Sequence, residues 1–322
     1  MSIPESLRGR LSLPVIGAPL FIVSNPDLTI AQCTAGIIGG FPALNARPAA
    51  QLEEWLQRIT RELDEYARAN PGAKVAPYAV NQIVHQSNDR LQHDLEVCVR
   101  YRAPIVITSL RAPTEVVPAI HAYGGLVFHD VINLRHARKA IEAGVDGLIL
   151  VCAGAGGHAG MMSPFALVPE VRRIFDGTII LAGAITRGEQ VLAAEAIGAD
   201  LAYLGTRFIA TAEARAPDAY KQMIVDSEAA DVVYTDFFSG VRGNYLRGSI
   251  VASGLDPDNL PAGDKGTMKY GSEGSSRAKA WRDIWGAGQG VGSIDQVLSA
   301  HEVVAQLSRE YAAAKARLAG GV

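Results

Sequence analysis

Residues 125–152 read GLVFHDVINLRHARKAIEAGVDGLILVC and contain the repeating unit of the fold. Two short apolar runs, GLVFHDV and DGLILVC, flank residues 134–143, where apolar side chains recur with helical spacing. Short apolar runs bounded by glycine or polar residues indicate buried strands, and a period of about 3.6 residues indicates a helix. The stretch therefore predicts a strand, a helix and a second strand parallel to the first.

The same unit recurs along most of the chain. Apolar runs start at Pro14, Gly36, Lys74, Ala103, Gly125, Asp146, Gly177 and Asp200. Helical patterns cover residues 26–35, 49–69, 88–101, 114–122, 134–143, 164–174 and 188–197. Eight strands buried on both faces and alternating with helices predict a closed (β/α)8 TIM barrel. An open doubly wound sheet is the alternative, but its GxGxxG fingerprint is missing from IGAPLFIVSNPDL after the first run.

The pattern changes after the eighth run. Residues 1–229 are predicted to form the barrel, residues 230–293 a C-terminal lid and residues 294–322 a helix that packs back on the barrel. The lid prediction rests on a concentration of aromatic residues, and the alternative is a disordered insertion. These aromatic residues are Tyr234, Phe237, Phe238, Tyr245, Tyr270, Trp281 and Trp285.

Composition narrows the classes of function. The 322 residues carry a net charge of -3, which offers no basic surface for nucleic acid. No uninterrupted apolar window is long enough to span a bilayer, so no membrane partner is expected. The three cysteines are far apart and indicate reduced thiols. We therefore expect a cytoplasmic protein with a small-molecule substrate, whose oligomeric state the sequence does not give.

Two loops near the end of the barrel pattern are candidates for binding phosphate. The seventh run continues into Ala182 and Gly183, and the eighth into Gly205 and Thr206. Active sites of such barrels lie in the loops after the strands, and the loops after strands 7 and 8 often bind phosphate through backbone N–H groups. These four residues therefore predict a phosphate site, although small residues also ease tight turns.

The loop after the sixth run reads GAGGHAG and contains the candidate catalytic residue. Gly156 and Gly157 would let the chain lie against a planar ligand, with His158 projecting into the barrel mouth. A histidine there can act as a base near neutral pH. The alternative is a surface histidine in a mobile loop.

Three further polar residues end strand runs. Asn81 is a candidate ligand contact, or a cap of the next helix. His129 and Asp130 end the fifth run, and the sequence favours neither a role in the site nor a hydrogen bond at the strand end. A metal site from His121, His129 and His136 is not favoured, because no spacing places two of them on one helical face with a carboxylate.

The motifs GAGGHAG and ILAGAITRGEQVLAAEAIGADLAYLGTRFIATAEA resemble the nitronate monooxygenase family, formerly called 2-nitropropane dioxygenases. The resemblance runs from PVIGAPLF near the N-terminus to WGAGQGVG, which begins at Trp285. It implies an FMN-dependent TIM barrel with a lid. The expected activity is oxidation of alkyl nitronates, and of nitroalkanes as a further class, with molecular oxygen.

The same resemblance implies a set of site residues. His158 would be the catalytic base. Residues expected to contact FMN are Ala18, Pro19, Leu20, Asn81, His129, Gly156, Gly157, Ala182, Gly183, Gly205, Thr206 and Gln289. Asp130 departs from the pattern of some family members, which carry a lysine after the histidine of the fifth strand. The subclass of this chain within the family therefore stays open.

Two alternative functions remain at the level of sequence. FMN-dependent enoyl-acyl carrier protein reductases and NADH:quinone reductases share the fold and the GGH element. A barrel that binds a phosphorylated ligand without chemistry is the non-enzymatic alternative, and it predicts no bound flavin.

Overall fold

A computed structural model describes residues 2–263 and 283–320, and its centre is a closed barrel of eight parallel strands. β1 pairs with both β2 and β9, which closes the sheet. The TIM-barrel prediction is confirmed, and each strand overlaps one predicted run, although the third strand continues past Asn81, where its run ends, to Val84. The strands are β1 (Val15–Gly17), β2 (Ile38–Pro42), β3 (Tyr78–Val84), β4 (Ile105–Leu110), β5 (Leu126–Val131), β6 (Gly147–Val151), β8 (Thr178–Ala182) and β9 (Leu201–Leu204), with β7 (Gly157–His158) outside the barrel.

The seven helices between the barrel strands are present where the sequence predicts them. Asn25 and Asn133 begin two of them, because each side chain accepts a hydrogen bond from a backbone N–H of the first turn. α3 begins at Leu91 rather than at Asn88, whose side chain instead bonds Ile83 O and the N–H of Arg90. The helices are α1 (Pro26–Thr34), α2 (Gln51–Ala69), α3 (Leu91–Arg100), α4 (Val116–His121), α5 (Leu134–Glu142), α6 (Pro164–Arg172) and α7 (Gly188–Ala196).

Two apolar layers hold the barrel together. The inner layer fills the barrel with side chains from different strands, among them Ile16, Ile38, Ile105, Phe128 and Ile149. The outer layer joins the strands to the surrounding helices. Because the barrel is packed rather than hollow, we expect its ligand site in the loops at the carboxyl ends of the strands.

A small antiparallel sheet combines the β6–β8 loop with the segment after residue 230. β10 (Val232–Thr235) pairs with β11 (Gly243–Leu246), and β11 pairs with β7. In that register His158 lies opposite Gly243. Tyr270 and Trp281 of the predicted lid lie outside the described residues, and the lid boundaries remain a prediction.

The C-terminal helix packs against α1 and α7. After α8 (Thr206–Ile209), α9 (Asp218–Asp226) and α10 (Arg247–Ala252), it forms α11 (Ala300–Ala319). It starts later than residue 294 because Ser299 and Glu302 form a capping box at its first turn. None of the described helices combines the length and apolar character needed to cross a membrane.

Candidate active site

A cavity of about 570 Å³ opens at the carboxyl ends of the barrel strands, a size within the usual range for small-molecule sites. Loops after the barrel strands and the segment before α11 contribute to its wall. All but two of the predicted site residues line it. These are Ala18, Pro19, Leu20, Asn81, Gly156, Gly157, His158, Ala182, Gly183, Gly205 and Thr206.

His129 and Gln289 do not line the cavity. Strand alternation places His129 on the outer face of β5 with Val127 and Val131, where its Nδ1 lies 2.8 Å from Thr108 Oγ1. Gln289 is exposed beside the glycine loop, and its backbone N–H donates to Gly154 O at 2.9 Å. Neither residue therefore lies in the cavity wall, and their contact with a cofactor stays a prediction.

The glycine loop around residue 156 lies directly against the segment before α11. A Cβ on Gly156 would stand 2.8 Å from Gly288 N, and one on Gly288 would stand 2.6 Å from Gly154 O. Any larger residue would push these two backbone segments apart. The glycine density is therefore explained by contact between two loops as well as by the cavity that both of them line.

His158 is half-buried in the cavity wall and is held by Ser239. His158 Nε2 lies 2.9 Å from Ser239 Oγ, which donates to Val241 O at 2.9 Å. Desolvation by burial lowers the pKa of His158 to about 4. The imidazole is therefore neutral at physiological pH, and it can accept a proton but is a weak base.

The two loops predicted to bind phosphate share one wall of the cavity. Gly183 has φ +141°, and a Cβ there would lie 2.8 Å from Ala153 O. A Cβ on Gly205 would meet only ordinary contacts with Leu20 and Ala18. Thr206 Oγ1 accepts a hydrogen bond from Gly288 N at 2.8 Å, which leaves its hydroxyl proton to donate. These loops offer backbone N–H groups and a hydroxyl, and they carry no carboxylate. Such a set of donors fits a phosphate group.

A hydrogen-bonded row of polar side chains forms another edge of the cavity. Asn81 Nδ2 donates to Ser109 Oγ at 2.9 Å, and Ser109 Oγ donates to Asp130 Oδ2 at 2.6 Å. Burial raises the pKa of Asp130 to about 6. Asn81 does not cap α3, whose first turn follows Arg90.

Sequence reasoning missed the roles of Ser109 and Ser239. Alternation along β5 starting from the inward-facing Phe128 is the signal that would have chosen Asp130 over His129. No local signal identifies Ser239, because it comes close to His158 only through the small sheet.

The cavity opening carries a partly exposed apolar rim. The exposure of these side chains lies between 36% and 42%, although each also lines the cavity. They are Phe21, Ile22, Leu110, Ile132 and Val241. Arg47 lies over the Phe21 ring at 5.5 Å and is a cation at this opening. The rim therefore favours a substrate with an apolar part.

The candidate metal site has no structural support. His121 Nε2 pairs with Asp146 Oδ2 at 2.8 Å, and His129 points outward on its strand. Within residues 2–263 and 283–320, no group of three or more His, Cys, Asp or Glu side chains could hold a metal ion.

Residues 13–310 match the sequence model of the family described as Nitronate monooxygenase. The chain belongs to the nitronate monooxygenase family. It is 28% identical to a nitronate monooxygenase from Paraburkholderia phytofirmans, over 92% of each chain.

Two solved structures share the fold of this family member. A nitroalkane oxidase from Streptomyces ansochromogenes has a TM-score of 0.78 and 24% identity, and covers 97% of this chain and 99% of its own. FabK from Thermotoga maritima has a TM-score of 0.78 and 22% identity over 100% of both chains. At these identities the likeness establishes the barrel architecture alone.

Proposed function

We propose that this protein binds FMN in the barrel cavity and oxidises alkyl nitronates with molecular oxygen. The observation that carries the proposal is the cavity itself. It combines a small-residue wall suited to phosphate with a neutral histidine and apolar surroundings. Membership of the nitronate monooxygenase family supports this choice of reaction.

The residues of the phosphate wall would hold the end of the cofactor. The backbone N–H groups of Gly183 and Gly205 and the hydroxyl of Thr206, which line that wall, would be the donors to the phosphate. Asn81 and the loop from Ala18 to Leu20 line the remainder and would contact the flavin ring system. When bound, FMN would accept electrons from the substrate and pass them to oxygen.

Our proposal favours nitronates over neutral nitroalkanes because of the environment of His158. A neutral nitroalkane must lose its α-proton before oxidation, whereas a nitronate has already lost it. With a pKa near 4, His158 is a weak base for that step. Its proposed role toward a nitronate is to orient the substrate, and its role toward a nitroalkane is to accept the proton at an imidazole nitrogen.

The apolar walls contribute by excluding water. Phe238 and Val241 from the segment after β10 and Ile132 from the barrel line the same cavity as His158. In a site with little water, electrostatic contacts to the nitro group are stronger than in solution. The chain therefore positions and desolvates the substrate beside the cofactor.

The test of the proposal is the chemistry of the purified protein. We expect a yellow protein that releases FMN rather than FAD on denaturation and that consumes oxygen when a primary alkyl nitronate is added. A colourless protein that FMN does not reconstitute would contradict the proposal and leave a phosphate-binding barrel without chemistry. Rapid reduction by NADH, with no oxygen consumption on nitronate, would favour a flavin-dependent reductase instead.

A further inference from the structure

Asp130 is a buried carboxyl group at the cavity wall that the proposed reaction does not yet use. Its Oδ2 accepts the Ser109 hydroxyl at 2.6 Å. Its Oδ1 is buried and has no hydrogen-bond partner in the part of the chain that the structure describes. A buried carboxylate oxygen without a partner costs free energy, and a proton on Oδ1 lowers that cost by removing the charge.

We propose that Asp130 responds to the anionic substrate: its carboxyl, in the wall of the cavity, takes up a proton from solvent on Oδ1 as the anion binds. The inference rests on the proposed function, because the nitronate is the anion. Two negative charges in one desolvated cavity repel each other, and protonation of the carboxylate removes that repulsion.

The hydrogen bonds around Asp130 determine which oxygen carries the proton. Asn81 Nδ2 donates to Ser109 Oγ, so the single hydroxyl proton of Ser109 is available to donate to Asp130 Oδ2. Oδ2 is therefore an acceptor, and the acidic proton belongs on Oδ1. Burial already raises the pKa of Asp130 to about 6 in the absence of a ligand, and the charge of the bound anion must raise it further, above 8, for the carboxyl to stay protonated at pH 8.

Proton uptake above pH 6.5 can be assigned to Asp130, because the pKa values of the other groups near it are shifted away from that range. Burial lowers the pKa of each nearby histidine below its usual value and raises that of Tyr203 well above it. The neighbouring side chains on β3 and β4 are Asn81 and Ser109, which do not titrate. The titratable or charged groups of the cavity and of β5 are Tyr203, Tyr220, His129, His136, His158 and Arg47.

Calorimetry with nitrate tests the inference, since nitrate is a planar oxyanion that stays charged throughout the pH range. Protein purified with FMN is titrated in two buffers of different ionisation enthalpy, which counts the protons taken up. We expect about one proton per nitrate at pH 8 and almost none at pH 5. The Kd should rise about tenfold per pH unit above pH 6, as linkage requires for one proton.

The variant Asp130→Asn gives the sharpest comparison. Asparagine keeps an oxygen for Ser109 and places an NH2 group at the position of Oδ1, so it mimics the protonated carboxyl without titrating. We expect a Kd independent of pH, equal to that of the wild type at pH 5 and about 100-fold tighter at pH 8. The control His136→Gln should keep the wild-type pH dependence.

Three results would overturn the inference: no proton uptake by the wild type, a pH-dependent Kd in Asp130→Asn, or no binding of nitrate. FMN content and nitronate turnover are measured on the same preparation. If the protein contains FMN and oxidises nitronate but takes up no proton with nitrate, only the role of Asp130 fails. A preparation without FMN or turnover refutes the proposed function, and this inference with it.

Discussion

The chemistry proposed for this protein depends on how single side chains are held. His158 lies on a short strand whose pairing with Gly243 fixes its backbone, while Ser239 fixes its ring. The sequence identifies His158 through the glycines around it. It does not identify Ser239 or the hydrogen-bonded row from Asn81 through Ser109 to Asp130, because those contacts join residues far apart in the chain.

The first prediction concerns His158→Asn. Asparagine keeps a hydrogen-bonding group but cannot accept the α-proton. Because a base with a pKa near 4 contributes at the low end of the usual range, turnover of a neutral nitroalkane should fall by about 10²-fold. Nitronate turnover should be largely retained. Steady-state oxygen consumption with both substrates measures the difference. Equal loss of both activities with FMN still bound would show that His158 acts by orienting the substrate rather than as a base.

The second prediction concerns the phosphate wall. In Gly205→Val the new Cβ has room against the protein, since its nearest neighbours lie 3.4 Å or more away. The branched side chain should instead occupy the space of the phosphate, so the Kd for FMN should rise by at least about tenfold, or 1.4 kcal/mol, with an unchanged Tm of the FMN-free protein.

Gly292→Ala is the matched control for that measurement. A Cβ there also meets nothing closer than 3.5 Å, and Gly292 does not line the cavity. Fluorescence titration with FMN should give the wild-type Kd for this control. Unchanged affinity in Gly205→Val as well would remove the phosphate assignment.

At the scale of elements, the barrel could be predicted from the sequence and the small sheet could not. Each barrel strand belongs to a longer apolar run that can be recognised, and each helix between them follows a segment with helical periodicity. β7, β10 and β11 have two to four residues and take their register from partners distant in sequence. Such short strands show no periodicity of their own.

The third prediction concerns the link between that sheet and the glycine loop. The buried Asn244 on β11 donates through Nδ2 to Ala155 O at 2.7 Å. Asn244→Ala removes the donor and leaves a buried carbonyl unsatisfied, which should lower the free energy of unfolding by about 1–3 kcal/mol. FMN affinity should fall too, because the loop lines the cavity. Urea denaturation and FMN titration measure the two effects.

The exposed Asn259, whose side chain contacts Asp256, provides the control for Asn244. Asn259→Ala should change the free energy of unfolding by less than about 0.5 kcal/mol. If Asn244→Ala behaves like this control, the hydrogen bond to Ala155 does not hold the glycine loop in place.

At the scale of the whole molecule, buried ionisable groups near the barrel mouth link its stability to pH. Burial lowers the pKa of His129 and of His158 to about 4, against 6.5 for an ordinary histidine. Between those values the unfolded chain binds more protons than the folded one, so stability falls as the pH falls from 6.5 to 4. Asp130 acts in the opposite direction, because its raised pKa makes the folded state bind the extra proton between 3.8 and about 6.

The fourth prediction follows from His129, which does not line the cavity. In His129→Gln the difference in free energy of unfolding between pH 7 and pH 4.5 should be smaller than in the wild type, because one neutral buried imidazole is removed. Urea denaturation at the two pH values measures it. A larger difference in His129→Gln would contradict the assigned pKa direction.

This barrel is proposed to be a flavoprotein whose electron donor is a nitronate. The most direct measurement is anaerobic stopped-flow mixing of the purified protein with a primary alkyl nitronate, while the absorbance of the flavin is followed. We predict rapid bleaching by the nitronate, little bleaching by NADH, and recovery of the colour when oxygen is admitted. Rapid bleaching by NADH with none by the nitronate would contradict the account.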